Sequence, residues 1–116
     1  AFYMTASAIR DMIRYRKLGS PVLSVSKIIK LAAALVSMLS LETEQECQAF
    51  LDDIMTTKEI LDISQRLAVA KMLRDKEVYS KISKETGASS ATISRVNRCC
   101  LYGPGGYKTV LDRILK

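Results

Sequence analysis

The chain has 116 residues, 48% hydrophobic and 26% charged, with five Gly and two Pro, which describes one folded domain and no disordered polymer. His and Trp are absent, which excludes Ser-His and Cys-His nucleophile pairs and His-ligated metal sites; an aromatic content of 6% is too low for a base-stacking platform. The net charge of +6 is unevenly placed: residues 1–55 balance six basic against six acidic, while residues 56–116 hold twelve against six.

Period-two alternation and β-branched runs are missing, and apolar residues recur at helical spacing. Thr5 to Lys17 sets Ala8, Ile9, Met12, Ile13 and Arg16 along one side before Gly19-Ser20-Pro21 ends it. A short amphipathic helix and a loosely ordered arm both fit that stretch. A second helix is expected from Ser26, where Ile28, Leu31, Ala32, Leu35 and Leu39 leave little polar surface. A helix so apolar needs cover on several sides, and a partner chain is the natural supplier. Thr43 with Glu46 has capping-box spacing and opens a third helix to about Met55. Thr56 with Glu59 repeats the signal and opens the longest helix, through about Lys76. Its apolar set is Ile60, Leu61, Ile63, Leu67, Ala68, Met72 and Leu73. A short helix over 78–86 stops at Gly87, and Ser89 or Ser90 caps the next, to about Leu101. Tyr102 to Gly106 is a loop by its Gly and Pro, and Tyr107 to Leu115 forms the last helix.

Cys47, Cys99 and Cys100 form neither an even framework nor a CxxC pair, and are expected to be reduced, packed side chains of a cytoplasmic protein. No metal site and no cofactor are expected. The apolar tract Leu31 to Leu41 is shorter than the ~20 residues that span a bilayer, so no membrane contact is expected. Lys27 and Lys30 precede it as the basic end of a leader would, but no small-x-small cleavage site follows.

Residues 79–98, YSKISKETGASSATISRVNR, fill the slots of a helix-turn-helix. With Tyr79 as position one, the apolar fourth position is Ile82, the small fifth is Ser83, and the ninth is Gly87, where positive φ is cheap. Ala88, Ile93 and Val96 pack the second helix on the first. At 100° per residue, Ile93, Val96 and Cys100 share one face. Ala91, Ser94, Arg95 and Arg98 point the other way, flanked by Thr92. Short side chains followed by two arginines suit entry into a major groove, helix N-terminus first. Ala91 or Thr92 would touch a thymine methyl, Ser94 a base edge, and Arg95 and Arg98 guanine or phosphate. Ser89, Ser90, Lys81 and Lys84 suit the DNA backbone. A helical hairpin with a solvated basic face, binding RNA or an acidic protein, is the alternative. Catalysis is not expected, since the cysteines and serines have no base.

From about Ile29 to Lys116, and above all in QRLAVAKML and TGASSATISRVNRCCLYG, the chain resembles the Trp repressor family in its YerC/YecD-type branch. The resemblance implies an all-α, intertwined homodimer, a Trp-repressor-like helical bundle that binds operator double-stranded DNA and regulates transcription, as a repressor. It covers a domain over residues 26–116 and leaves 1–25 as an accessory segment, with Val25-Ser26-Lys27 a candidate start. Arg66 and Arg95 match the arginines that flank the corepressor's indole ring in the family, and Thr56 matches a backbone-contacting threonine. Val96 replaces the glycine that makes room for the ring, so tryptophan is not expected to bind; another effector stays open. Arg66 also stands i,i+4 from Asp62, an ion pair that explains it structurally.

Overall fold

The computed structural model describes residues 25–115, and the expected first stretch, Thr5 to Lys17, lies outside them. Six helices follow in order among the described residues: α1 Val25–Leu39, α2 Glu44–Ile54, α3 Thr57–Arg74, α4 Tyr79–Thr86, α5 Ser90–Tyr102 and α6 Gly106–Ile114. No strand occurs among these residues, so the all-α expectation holds. The chain divides into two units between Leu51 and Asp52, and each is described separately.

In the first unit, α1 buries Ala32 completely while Leu35, Met38 and Leu39 stay exposed, Leu39 at 86%. Ser37 turns its hydroxyl back onto the Ala33 carbonyl at 2.8 Å, which hides polarity inside the apolar run. At the start of α2 the box anticipated from Thr43 and Glu46 forms. Thr43 Oγ1 accepts from the Glu46 N–H at 3.1 Å, and Glu46 Oε2 accepts from the Thr43 N–H at 3.1 Å.

In the second unit, α3 lies against α4, α5 and α6, and α5 also touches α4 and α6. Thr56 and Glu59 close the second capping box, with the Thr56 N–H donating to Glu59 Oε2 at 2.7 Å. These bonds to Thr56 hold the Glu59 carboxyl below its ordinary pKa. The helix was expected to reach Lys76 and stops at Arg74. Lys76 adopts φ +61, a left-handed conformation usually left to glycine. The Lys76 N–H donates to Leu73 O and the Glu77 N–H to Met72 O, both at 3.0 Å. This crossed pair satisfies carbonyls that the helix end would leave open.

The core joins Val69, Ala70, Ile82, Ala88, Ile93, Val96 and Leu111, with Leu67, Met72, Leu73 and Tyr107 packed against it. Val69 and Ala70 were not in the apolar stripe assigned to this helix, whereas Leu61, Ile63 and Ala68, which were, are exposed. Small residues serve here because α4 and α5 approach α3 closely where they cross. On α6 Leu111 alone is buried, and Val110, Ile114 and Leu115 remain exposed.

Candidate nucleic-acid interface

The helix-turn-helix is built from the bottom by local chemistry. Gly87 has φ +74 and ψ 2, and its N–H donates to Ser83 O, which ends α4 in the left-handed turn anticipated there. Ser83 was singled out for its size, but its hydroxyl also donates to Ala88 O across the turn at 2.8 Å. Thr86 contributes twice: its hydroxyl donates to Ile82 O at 2.7 Å and accepts from the Ala88 N–H at 3.2 Å. From α3, the Gln65 amide donates to Thr86 O at 3.1 Å. Ser89, not Ser90, is the cap of α5, accepting from the Thr92 N–H at 3.1 Å.

The inward set behaves as the motif requires. Ile82 and Ile93 are fully buried, Ala88 is 1% exposed and Val96 is 2% exposed. Cys100 departs from that face: one turn beyond Val96 it is exposed, as is Cys99, while Cys47 is half-buried. Burial on one side still pushes the Cys100 thiol pKa up, with the neighbouring Cys99 adding to it. Packing of all three cysteines is therefore not observed.

The outward set is exposed along α5. Ser90, Ala91, Ser94, Arg95 and Arg98 are open to solvent, and Thr92 is half-buried beside the Ser89 hydroxyl. Arg95 and Arg98 form no ion pair among the described residues, and neither does Lys84 on α4. Lys81 differs: its Nζ meets Glu77 Oε1 at 3.0 Å, and that bond raises its pKa. Ser89 likewise has its hydroxyl engaged, donating to Thr92 Oγ1 while it caps.

The residues matched to a corepressor site are only partly gathered. Thr56 caps α3, and Val96 is packed into the core. Arg66 is exposed and lines an open cavity of about 510 Å³ with Ile63, Cys99, Pro104, Tyr107 and Val110. Thr56, Arg95 and Val96 do not line it. Tyr107 shares this lining with Arg66; burial raises its pKa most, Cys99 and Cys100 add to the rise, and the charges of Arg66 and Arg95 oppose it. The expected Arg66–Asp62 pair gives way to Lys58, whose Nζ meets Asp62 Oδ2 at 2.9 Å and lowers the carboxyl pKa. Cys99 and Tyr107 were missed as cavity residues because only the tertiary meeting of α5 and α6 brings them to Arg66.

Comparison with known proteins decides the family. The family model described as Trp repressor protein matches residues 30–115. The chain belongs to the Trp repressor family. YerC of Bacillus subtilis (strain 168), an uncharacterized protein, is 54% identical over 78 residues, which is 67% of this chain and 75% of that one. The crystal structure of a candidate Trp repressor from Staphylococcus aureus superposes with a TM-score of 0.72 at 41% identity, covering 81% of this chain and 96% of that one. A TrpR-like protein from Eubacterium eligens ATCC 27750 gives 0.69 at 44% identity, over 79% of this chain and 92% of that one. Members of this family are helix-turn-helix regulators that bind DNA, and they are not enzymes. Among the described residues, no helix of this chain is long and apolar enough to cross a membrane.

Proposed function

We propose that this chain is a cytoplasmic, homodimeric repressor that binds double-stranded DNA sequence-specifically through α5. The observation that carries the reading is the contrast within that helix. Its inner face is locked into the core through Ile93 and Val96, while its outer face offers Arg95 and Arg98 free of any ion pair among the described residues. Cations that would otherwise sit paired are left available for phosphate or guanine. Ala91 and Thr92 supply methyl contacts and Ser94 a base-edge bond. Ser90 and Lys84 meet the backbone directly. Lys81 and Ser89 join them by exchanging their present partners, Glu77 and Thr92.

Dimerisation is supported by apolar side chains that the chain leaves open, among them Leu61 at 62%, Ile114 at 58% and Leu39 at 86%. Two copies would set their recognition helices one turn of DNA apart, ~34 Å, and favour two-fold symmetric sites. Tryptophan is not the effector in this reading, because Val96 fills its position with a core side chain. Selecting duplexes from a random pool, then titrating the winner across several salt concentrations, tests the whole reading. Groove binding gives a steep salt slope and a sequence-dependent remainder. Preference for RNA or for an acidic protein, with no duplex sequence selected, would overturn it.

A further inference from the structure

A second cavity, of about 360 Å³, opens between α3, α5 and α6, away from the outer face of α5. That volume lies at the lower end of small-molecule sites. Its floor is apolar, from Ala70, Leu73 and Leu111, and its rim is charged, from Arg74, Lys108 and Asp112. Arg74 Nη2 lies 2.7 Å from Asp112 Oδ1, and Lys108 Nζ lies 2.7 Å from Asp112 Oδ2. We propose that this cavity binds a small monocarboxylate with an aryl or branched alkyl body, its carboxylate held by Arg74 and Lys108.

The charge at the rim selects the ligand. Two cations share a single carboxylate, so the rim carries a net charge of +1 and is complemented by one further anion. Both oxygens of Asp112 already accept from cations, so a ligand ammonium would compete with Arg74 and Lys108 for the remaining lone pairs and be repelled by their charge. Donors remain in excess, because a guanidinium has five N–H groups and an ammonium three. Arg74 is therefore able to keep Asp112 and turn a second edge toward a carboxylate, the planar geometry it favours. The floor rewards an apolar body, as ring or branched alkyl burial releases water from Leu73 and Leu111.

Neighbouring groups reinforce the selection. Hydrogen bonds from Lys108 and Arg74 hold the Asp112 carboxyl below its ordinary pKa, so it stays ionised and a second acid enters as the counter-charge. Burial raises the pKa of Tyr107 and Cys100, so both line the wall as neutral donors. The cavity beside Arg66 has one lining cation and no carboxylate, and lacks this arrangement. The proposal does not rest on DNA binding, and its test uses no DNA.

The experiment is calorimetric titration of phenylacetate, phenylacetamide and L-phenylalanine into the full chain. Saturable one-site binding of phenylacetate is expected, with the neutral amide and the zwitterion each at least about tenfold weaker, the scale of one charge-assisted bond. Arg74→Met should weaken phenylacetate by about tenfold with an unchanged circular dichroism spectrum. If that variant fails to fold, Lys108→Met serves in its place, since this side chain is 78% exposed. Arg113→Met, which removes equal charge from α6 outside the cavity, should leave the titration unchanged. Absence of saturation at millimolar phenylacetate, equal binding of the amide, or equal weakening by Arg113→Met would each overturn the site.

Discussion

The segment from Ile82 to Val96 and the apolar side chains of α1 and α6 obey the same hydrophobic physics with opposite results. In the helix-turn-helix each inward apolar position is closed by the chain itself, down to complete burial of Ile82 and Ile93. On α1 and α6, Leu35, Met38, Leu39, Val110 and Ile114 keep a large part of their surface in water. Local chemistry explains the first region, since Gly87, Ser83, Thr86 and Ser89 fix the turn within seven residues of one another. The second region has no such internal closure. The helix-turn-helix is closed within one chain, whereas these apolar side chains of α1 and of α6 are left open to water.

The largest expected effect tests the closed region. Ile93→Ala should destabilise the fold by ~2–4 kcal/mol, read as a fall in thermal midpoint, because it opens a void in a fully buried site. A midpoint unchanged within error would mean the inner face of α5 is not packed as described. Next come Arg95→Ala and Arg98→Ala, expected to cost roughly tenfold or more in duplex affinity each while leaving the midpoint in place. Equal affinity would move the DNA-facing surface off α5. Together these variants separate what the two faces of one helix do.

Smaller effects come from the backbone. Gly87→Ala should cost ~1 kcal/mol through φ alone, since an added Cβ meets only Gln65 Nε2, at an unstrained 3.8 Å. Lys76→Gly should act in reverse and stabilise by ~1 kcal/mol, because it relieves the same left-handed conformation at a position holding a long side chain. Chemical denaturation of both variants measures the pair; a stabilised Gly87→Ala or a destabilised Lys76→Gly would refute the corresponding turn. The smallest effect concerns acid. The Asp112 carboxyl has its pKa lowered in the fold, so the stability it contributes is present above its unfolded value and lost as pH falls through the folded one. A midpoint that falls below about pH 4 in the parent should fall less in Asp112→Asn. An identical slope in both would remove the Arg74–Asp112–Lys108 cluster from that role.

Legibility in the sequence followed the range of the interactions. Both capping boxes and the turn at Gly87 depend on residues three or four apart and were legible, while the cap of α5 was narrowed only to Ser89 or Ser90. The core of α3 was harder to read, because its stripe of apolar residues is wide on all sides. Only the approach of α4 and α5 selects Val69 and Ala70 over Leu61 and Ile63. Lys76 gave no signal, since its residue type argues against the conformation it takes. The grouping of Arg66 with Cys99 and Tyr107 depends on elements more than thirty residues apart, and no periodicity reports such a meeting. The outer face of α5 was readable, but the engagement of Lys81 by Glu77 adds a competition that charge counting leaves out.

One bond bears on how transferable the helix-turn-helix segment is. The Gln65 side chain reaches from α3 to the Thr86 carbonyl, an acceptor that the end of α4 would otherwise leave to water. Val69 and Ala70 form the surface under the same crossing. Residues 79–102 excised as a peptide, or grafted onto a foreign helix, would carry the turn's own hydrogen bonds but neither of these supports. The segment is thus a fitted component of its host rather than a portable cassette, and exchanging the exposed side chains of α5 between relatives calls for keeping Gln65, Val69 and Ala70 in place.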